Sequence, residues 1–174
     1  MLRFRATSFL LLLFFAIPAL SAELPARKPG LWEMETTLPN PKIPKQVIRQ
    51  CVDHATDEMM QSRAQNMGSQ RQCSKRDVQK AAGSITIDST CTVAGQTRTA
   101  HVVITGSFDS GYTMTVTSQS QGAPDARTIT IAAKWIGPCA ADQKPGDMIM
   151  ANGMKMNIMD MQKLGAPGIR QPPK

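Results

Sequence analysis

The sequence predicts a mainly β domain: an antiparallel meander sheet curling toward a barrel or half-barrel, with one short helix and two disulfide staples. Three observations predict it. Residues 71–136 are rich in Thr, Val, Ile and Ser, which favour pleated, half-buried surfaces. Turn residues break that run at "AAGS" (81–84), "AGQT" (94–97), "DSG" (109–111) and "GAPD" (122–125). Four widely spaced cysteines, Cys51, Cys73, Cys91 and Cys139, follow an N-terminal export signal, and an even count in such a chain reads as two bridges.

The export signal occupies residues 1–22. Arg3 and Arg5 form a positive region, Phe9 to Leu20 is apolar, and the small residues Ser21 and Ala22 offer cleavage sites. The apolar run is too short for a membrane-spanning helix, and no second run approaches the needed length. Cleavage leaves about 150 residues, which suits one domain. That domain is expected over 23–164, with a disordered tail over 165–174.

The elements follow in order. Gly30 to Leu38 alternates Trp32, Met34 and Leu38 with Glu33, Glu35 and Thr37, the period of a half-buried strand. "PNPKIP" breaks it at 39–44. Lys45 to Val52 is a second strand. Residues 56–67 read as a helix capped by Thr56, with Asp57 and Glu58 at the positive end of its dipole and Gly68 as the stop. Five strands are then expected over 71–80, 84–93, 98–108, 112–121 and 126–136.

Their register is testable by arithmetic. A three-residue Asp-Ser-Gly loop with Gly111 left-handed sets Ile104 opposite Val116. Four-residue loops at 122–125 and 94–97 set Val116 opposite Ile131 and Ile87 opposite Ile104. Ile87, Val102, Ile104, Phe108, Met114, Val116, Ile129, Ile131 and Trp135 then share one face, and a one-residue slip would scatter them. Few residues of the other face are apolar, so that face is expected to be wet. A three-residue turn at 81–83 sets Cys73 opposite Cys91, although Val78 is then out of phase with Ile87 unless a bulge intervenes. Cys51 is left with Cys139. On the chain-entropy model the longer bridge stabilises by roughly 4–5 kcal/mol and the shorter by about 3 kcal/mol.

The signal peptide, "KPGLWEMETT", the spaced cysteines and "WIGPC" followed by "KPGDMIMANG" together resemble the bacterial exported family catalogued as domain of unknown function 3617. The resemblance runs from about Lys28 to Met161. It implies a Gram-negative envelope location and no particular activity. "GLW" also resembles the start of lipocalins, whose Gly-x-Trp indole plugs a barrel base. The simpler reading is that Trp32 is a core aromatic whose N–H reaches a nearby carbonyl.

Little here suggests catalysis. His54 follows a strand and His101 lies on the expected wet face. A Cys–His pair would need a free thiol, and no nucleophile-elbow, zinc-protease or phosphate-loop motif occurs. Glu33 and Glu35 share one strand face about 7 Å apart, as solvated pairs commonly do. The net charge of +7 is spread along the chain, and one Tyr and five Phe supply too few stacking platforms for nucleic acid. The segment 148–161 carries Met148, Met150, Met154, Met156, Met159 and Met161. Thioethers are soft donors that suit Cu(I), and they are also adaptable apolar filler. The expectation is a methionine-rich lid folded over the sheet.

The leading functional expectation is a periplasmic, non-enzymatic envelope binding or accessory protein. It needs no cofactor, and its partner is an unknown envelope component or an apolar ligand. The alternatives are a Cu(I)-binding protein acting through the methionines, and a small apolar-ligand carrier in a lipocalin-like barrel.

Overall fold

The computed structural model describes residues 24–65 and 72–163. The expected signal peptide, the helix end at Met67 and Gly68, and the expected tail over 165–174 lie outside them. The chain folds as β1 (Gly30–Thr37), β2 (Gln46–Val52), α1 (His54–Gln65), β3 (Gln72–Ala81), β4 (Ser84–Val93), β5 (Gln96–Ser107), β6 (Gly111–Ser120), β7 (Arg127–Gly137), β8 (Asp147–Met150), β9 (Lys155–Asn157) and α2 (Ile158–Lys163). The nine strands form one antiparallel sheet in the order β3-β4-β5-β6-β7-β1-β2-β8-β9. The sheet is open, with β3 and β9 as its edges.

The meander forms where the turn residues place it, but the three hairpin registers from β4 to β7 each differ from the expected one by two residues. Ile104 faces Met114 rather than Val116, Met114 faces Ile131, and Ile85 faces Ile104. The cause is turn chemistry. Ala94 and Gly95 alone make the β4–β5 turn, both at positive φ (49° and 78°), as a two-residue hairpin of the primed type requires. The β5–β6 loop is Phe108-Asp109-Ser110, closed by Ser107 and Gly111. The left-handed residue there is Gly106 (φ 111°), not Gly111. A Cβ on Gly106 would lie 2.5 Å from the Gly111 carbonyl oxygen, so only glycine fits this crossing. Between β6 and β7 the ladder opens at Ser118 and Arg127, leaving a longer loop than expected.

A two-residue shift preserves side-chain parity. Ile85, Ile104, Met114 and Ile131 therefore make one row of the apolar face, and Ile87, Val102, Val116 and Ile129 make the next. The opposite face carries threonines and exposed ion pairs such as Glu33–Arg49 and Asp88–His101. Exposed pairs of this kind contribute about 0–1 kcal/mol each.

The bridges are Cys73–Cys91 and Cys51–Cys139. Cys73 pairs directly with Cys91, Val78 with Ile87, and a bulge between Cys73 and Lys75 absorbs the phase difference. The turn before β4 is two residues, Ala82-Gly83, rather than three.

Two expectations need correction. Helix α1 starts at His54, and its cap is Asp53 rather than Thr56. The Asp53 carboxylate accepts the Thr56 N–H at 2.8 Å, while the Thr56 hydroxyl accepts the Asp53 N–H at 3.0 Å. The methionine segment is no lid. It forms the β8–β9 hairpin, which extends the sheet beyond β2, followed by a second helix that the sequence reading lacks.

Burial is graded along the apolar face. Ile104 is 1% exposed, and its cluster includes Trp32, Val52, Met60, Tyr112 and Ile158. Val116 and Ile131 are only half-buried and stand outside that cluster. Ile104→Ala is therefore expected to lose roughly 2–5 kcal/mol. Thr115→Ala, on the opposite face, should lose well under about 1 kcal/mol. Urea unfolding of the two variants checks this, and equal losses would contradict the two-faced sheet.

Candidate functional site

One end of the apolar face is sealed by a buried ion pair. Asp57, in the first turn of α1, is fully buried, and Arg27, just before β1, is 4% exposed. Arg27 donates to Asp57 through its backbone N–H at 2.8 Å and its Nε at 2.6 Å, and Gln61 Nε2 adds a third bond at 2.8 Å. The rest of the guanidinium is also occupied: Nη1 donates to Gln50 Oε1 at 2.9 Å and to the Met34 sulfur at 3.2 Å. Arg27 also stands over the Trp32 ring, 5.7 Å from its centroid.

Aromatic rings complete the seal. Trp32 is fully buried, and its Nε1 donates to the Lys28 carbonyl at 2.8 Å, as a core tryptophan requires. Tyr112 lies 5.8 Å from Trp32 and stacks on Phe108 at 4.6 Å. Burial foremost, then the nearby Asp57 charge, pushes the Tyr112 phenol above its ordinary value, against the opposing pull of Arg27. The phenol stays neutral and donor-capable.

Away from this end the face opens. The Ile87–Val102–Val116–Ile129 row is half-buried. Beyond it the register sets Ala100, Ser118 and Arg127 in one row, and Arg98 with Ser120 in the next. Parity puts all five on the apolar side of the sheet. Arg98 and Arg127 are exposed, and neither side chain has a hydrogen bond or ion pair among the described residues. In the sequence they stand out only as part of a positive charge spread along the chain. Their even and odd positions, in phase with Val102 and Ile129, were the available signal.

The candidate metal ligands do not converge as one set. Met148 faces Met156 across the hairpin and Gln50 across the sheet, while Met150 faces Ile48. Their parity continues the apolar face. Met154 is half-exposed. Met159 and Met161 stand on α2, with the Met161 sulfur 3.9 Å from Arg63 Nη1. His54 opens α1 in an exposed position, and His101 Nδ1 lies 2.8 Å from Asp88 on the other face. Glu33 and Glu35 pair with Arg49 and Lys45.

The hairpin is tied down by Asp147. Although burial works against its charge, the Asn157 amide at 2.8 Å, the Lys144 N–H at 3.0 Å and the Lys155 ammonium hold its carboxyl below the ordinary 3.8. Asn157 also caps α2 by accepting the Met159 N–H at 2.9 Å.

The model of the family described as "Protein of unknown function (DUF3617)" matches residues 27–139. The chain belongs to this family. The match takes in the buried pair, the aromatic seal, both arginines of the open end and all four bridged cysteines. It ends before the β8–β9 hairpin. Neither a curated protein nor a solved structure matches the chain.

Two outcomes follow from this geometry. Asp57→Ala leaves the Arg27 charge buried without its partner, so a loss of about 3–5 kcal/mol is expected in urea unfolding. A loss below about 1 kcal/mol would mean that Arg27 finds other compensation. The depressed Asp147 carboxyl gives stability that is fully present above its unfolded-state value of 3.8 and is lost as pH falls through the lower folded value. Asp147→Asn should therefore be less stable than wild type at pH 7 and flatter between about pH 4 and pH 2. Parallel pH profiles would remove Asp147 from the acid transition.

Proposed function

We propose that this is an exported, non-enzymatic binding protein of the bacterial periplasm whose open apolar sheet face holds an apolar ligand. One observation carries the reading. The face is sealed and fully packed at the Trp32 end, yet its Val116, Ile129 and Ile131 side remains half-buried, outside the hydrophobic cluster formed by the described residues. An apolar surface of this kind, continuous with a core and rimmed by polar residues, suits a ligand or partner. Two disulfides suit an oxidising compartment. Among the described residues no helix is long and apolar enough to cross a membrane. The methionines that extend the face at β8 and β9 add side chains that repack around ligands of different shape.

The test uses a neutral naphthylamine dye that brightens in apolar surroundings. Wild type should take up the dye. The double variant Val116→Asn/Ile129→Asn should bind several-fold more weakly while keeping its thermal midpoint within a few degrees, because both side chains are already half in water. Protein isolated from the envelope should also carry a lipid-like mass in native mass spectrometry. No dye uptake and no bound mass would end this reading.

A second reading rests on the hairpin register, which sets the thioethers of Met148, Met150 and Met156 on one side of β8 and β9. Three thioethers suit a soft monovalent cation such as Cu(I). Changing Met148, Met150, Met154 and Met156 together to Leu separates the two readings. Dye binding survives under the first, whereas competition with a Cu(I) chelator is present in wild type and lost in the variant under the second.

A further inference from the structure

We infer that the open end of the apolar face recognises the phosphate of a single-chain lipid, through Arg98 and Arg127 with Ser118 and Ser120 between them. This rests on the reading of that face as a binding surface and names what it takes.

The placement comes from register. Arg98 pairs with Ser120, and Arg127 pairs with Ser118. The two arginines thus flank β6 from β5 and β7, on the side of the sheet that carries Val102 and Val116. They are two strands apart and two residues out of step, so their Cα atoms are about 12 Å apart. Two guanidinium stems can reach inward over that gap. Both arginines are exposed and, among the described residues, unpaired, whereas Arg27 and Arg49 each have a carboxylate partner. The Cys73–Cys91 bridge fixes the strand next to Arg98.

Distance and charge then limit the ligand. From the sealed Ile104 row to Arg98 is six residues along β5, about 20 Å, which suits one long acyl chain running along β5 and β6 and crossing the Ile87–Val102–Val116–Ile129 row. A neutral chain would leave the rim without a partner. A carboxylate has two oxygens in one plane and one unit of charge, which a single bidentate guanidinium matches. A phosphate monoester offers three non-bridging oxygens. It can therefore accept from both arginines and from a serine hydroxyl between them. Two guanidinium charges flanking hydroxyls match the double charge and tetrahedral oxygens of a phosphate-headed chain better than the single charge of a fatty acid.

The test compares four probes on the full mature protein by displacement of the naphthylamine dye: oleoyl lysophosphatidate, oleate, oleyl alcohol and inorganic phosphate. Lysophosphatidate should bind about tenfold or more tighter than the alcohol, with oleate between them and phosphate alone without effect. Arg98→Gln/Arg127→Gln should bring lysophosphatidate down to the level of the alcohol and leave the alcohol unchanged. Arg98→Lys/Arg127→Lys should recover only part of the difference, because the ammonium keeps the charge and loses the fork. Both side chains are exposed, so these variants should fold. Oleate binding as tightly as lysophosphatidate, displacement by phosphate alone, or Gln variants that still prefer lysophosphatidate would each overturn the inference while the apolar reading stands. Failure of dye and alcohol alike to bind wild type would instead remove the apolar reading itself.

Discussion

The buried Arg27–Asp57 pair is the constraint on which the sealed end depends. Taking both charges out of water costs several kcal/mol per ion. The cost is offset only when the donors and acceptors are satisfied together. Here the partners come from four separate places: the segment before β1, helix α1, Met34 on β1 and Gln50 on β2. None of these elements can move alone without stranding a charge. The helix is short and has few apolar contacts of its own beyond Met59 and Met60, so its docking is set by this polar network as much as by burial. Trp32 and Tyr112 then pack in a frame that is already fixed.

Much of the sheet was legible from sequence because parity is robust where register is not. From β4 to β7 each hairpin register differs from the expected one by two residues, and two is the period of a strand. The set Ile87, Val102, Ile104, Met114, Val116, Ile129 and Ile131 therefore kept its common face although almost every partner changed. Turn length was the weak step. "AGQT" contains the tight Ala94-Gly95 turn, and only the left-handed φ of Ala94, unusual for alanine, reveals it. The conflict between Cys73–Cys91 and Val78–Ile87 was informative because two independent contacts disagreed by one residue. A bulge is the structural form of that disagreement.

The polar features were not legible, for a different reason. Arg27 and Asp57 stand 30 positions apart, and nothing periodic links them. Asp57 reads as an ordinary first-turn acid, and Arg27 as one more charge beside Lys28. Lys28 itself does stay exposed, with its ammonium 3.8 Å from the Trp135 ring centroid. The methionine run misled in another way. Its composition suggested either a donor set or a lid, while the residues that decide its fold are polar. Asp147 and Asn157 face each other and bond, and Asn157 starts α2. A capping asparagine and a buried aspartate explain the hairpin better than six sulfurs do.

The distribution of order along the apolar face gives these parts a common logic. At the sealed end, side chains are fully buried and polar atoms are paired. At the other end, the rows beyond half-buried Val116 and Ile129 carry Arg127 and Arg98, whose side chains are unpaired among the described residues. On the proposed reading, stability and binding are placed at opposite ends of the same strands. The four central strands run the whole distance, so a ligand at the open end rests on a scaffold whose rigidity is set elsewhere. Residues 27–139, the extent of the family match, contain both ends. The β8–β9 hairpin adds a methionine-lined margin beyond β2, held by its pairing with β2 and by the Asp147–Asn157 contact. It widens the face with the side chain best able to adjust its packing.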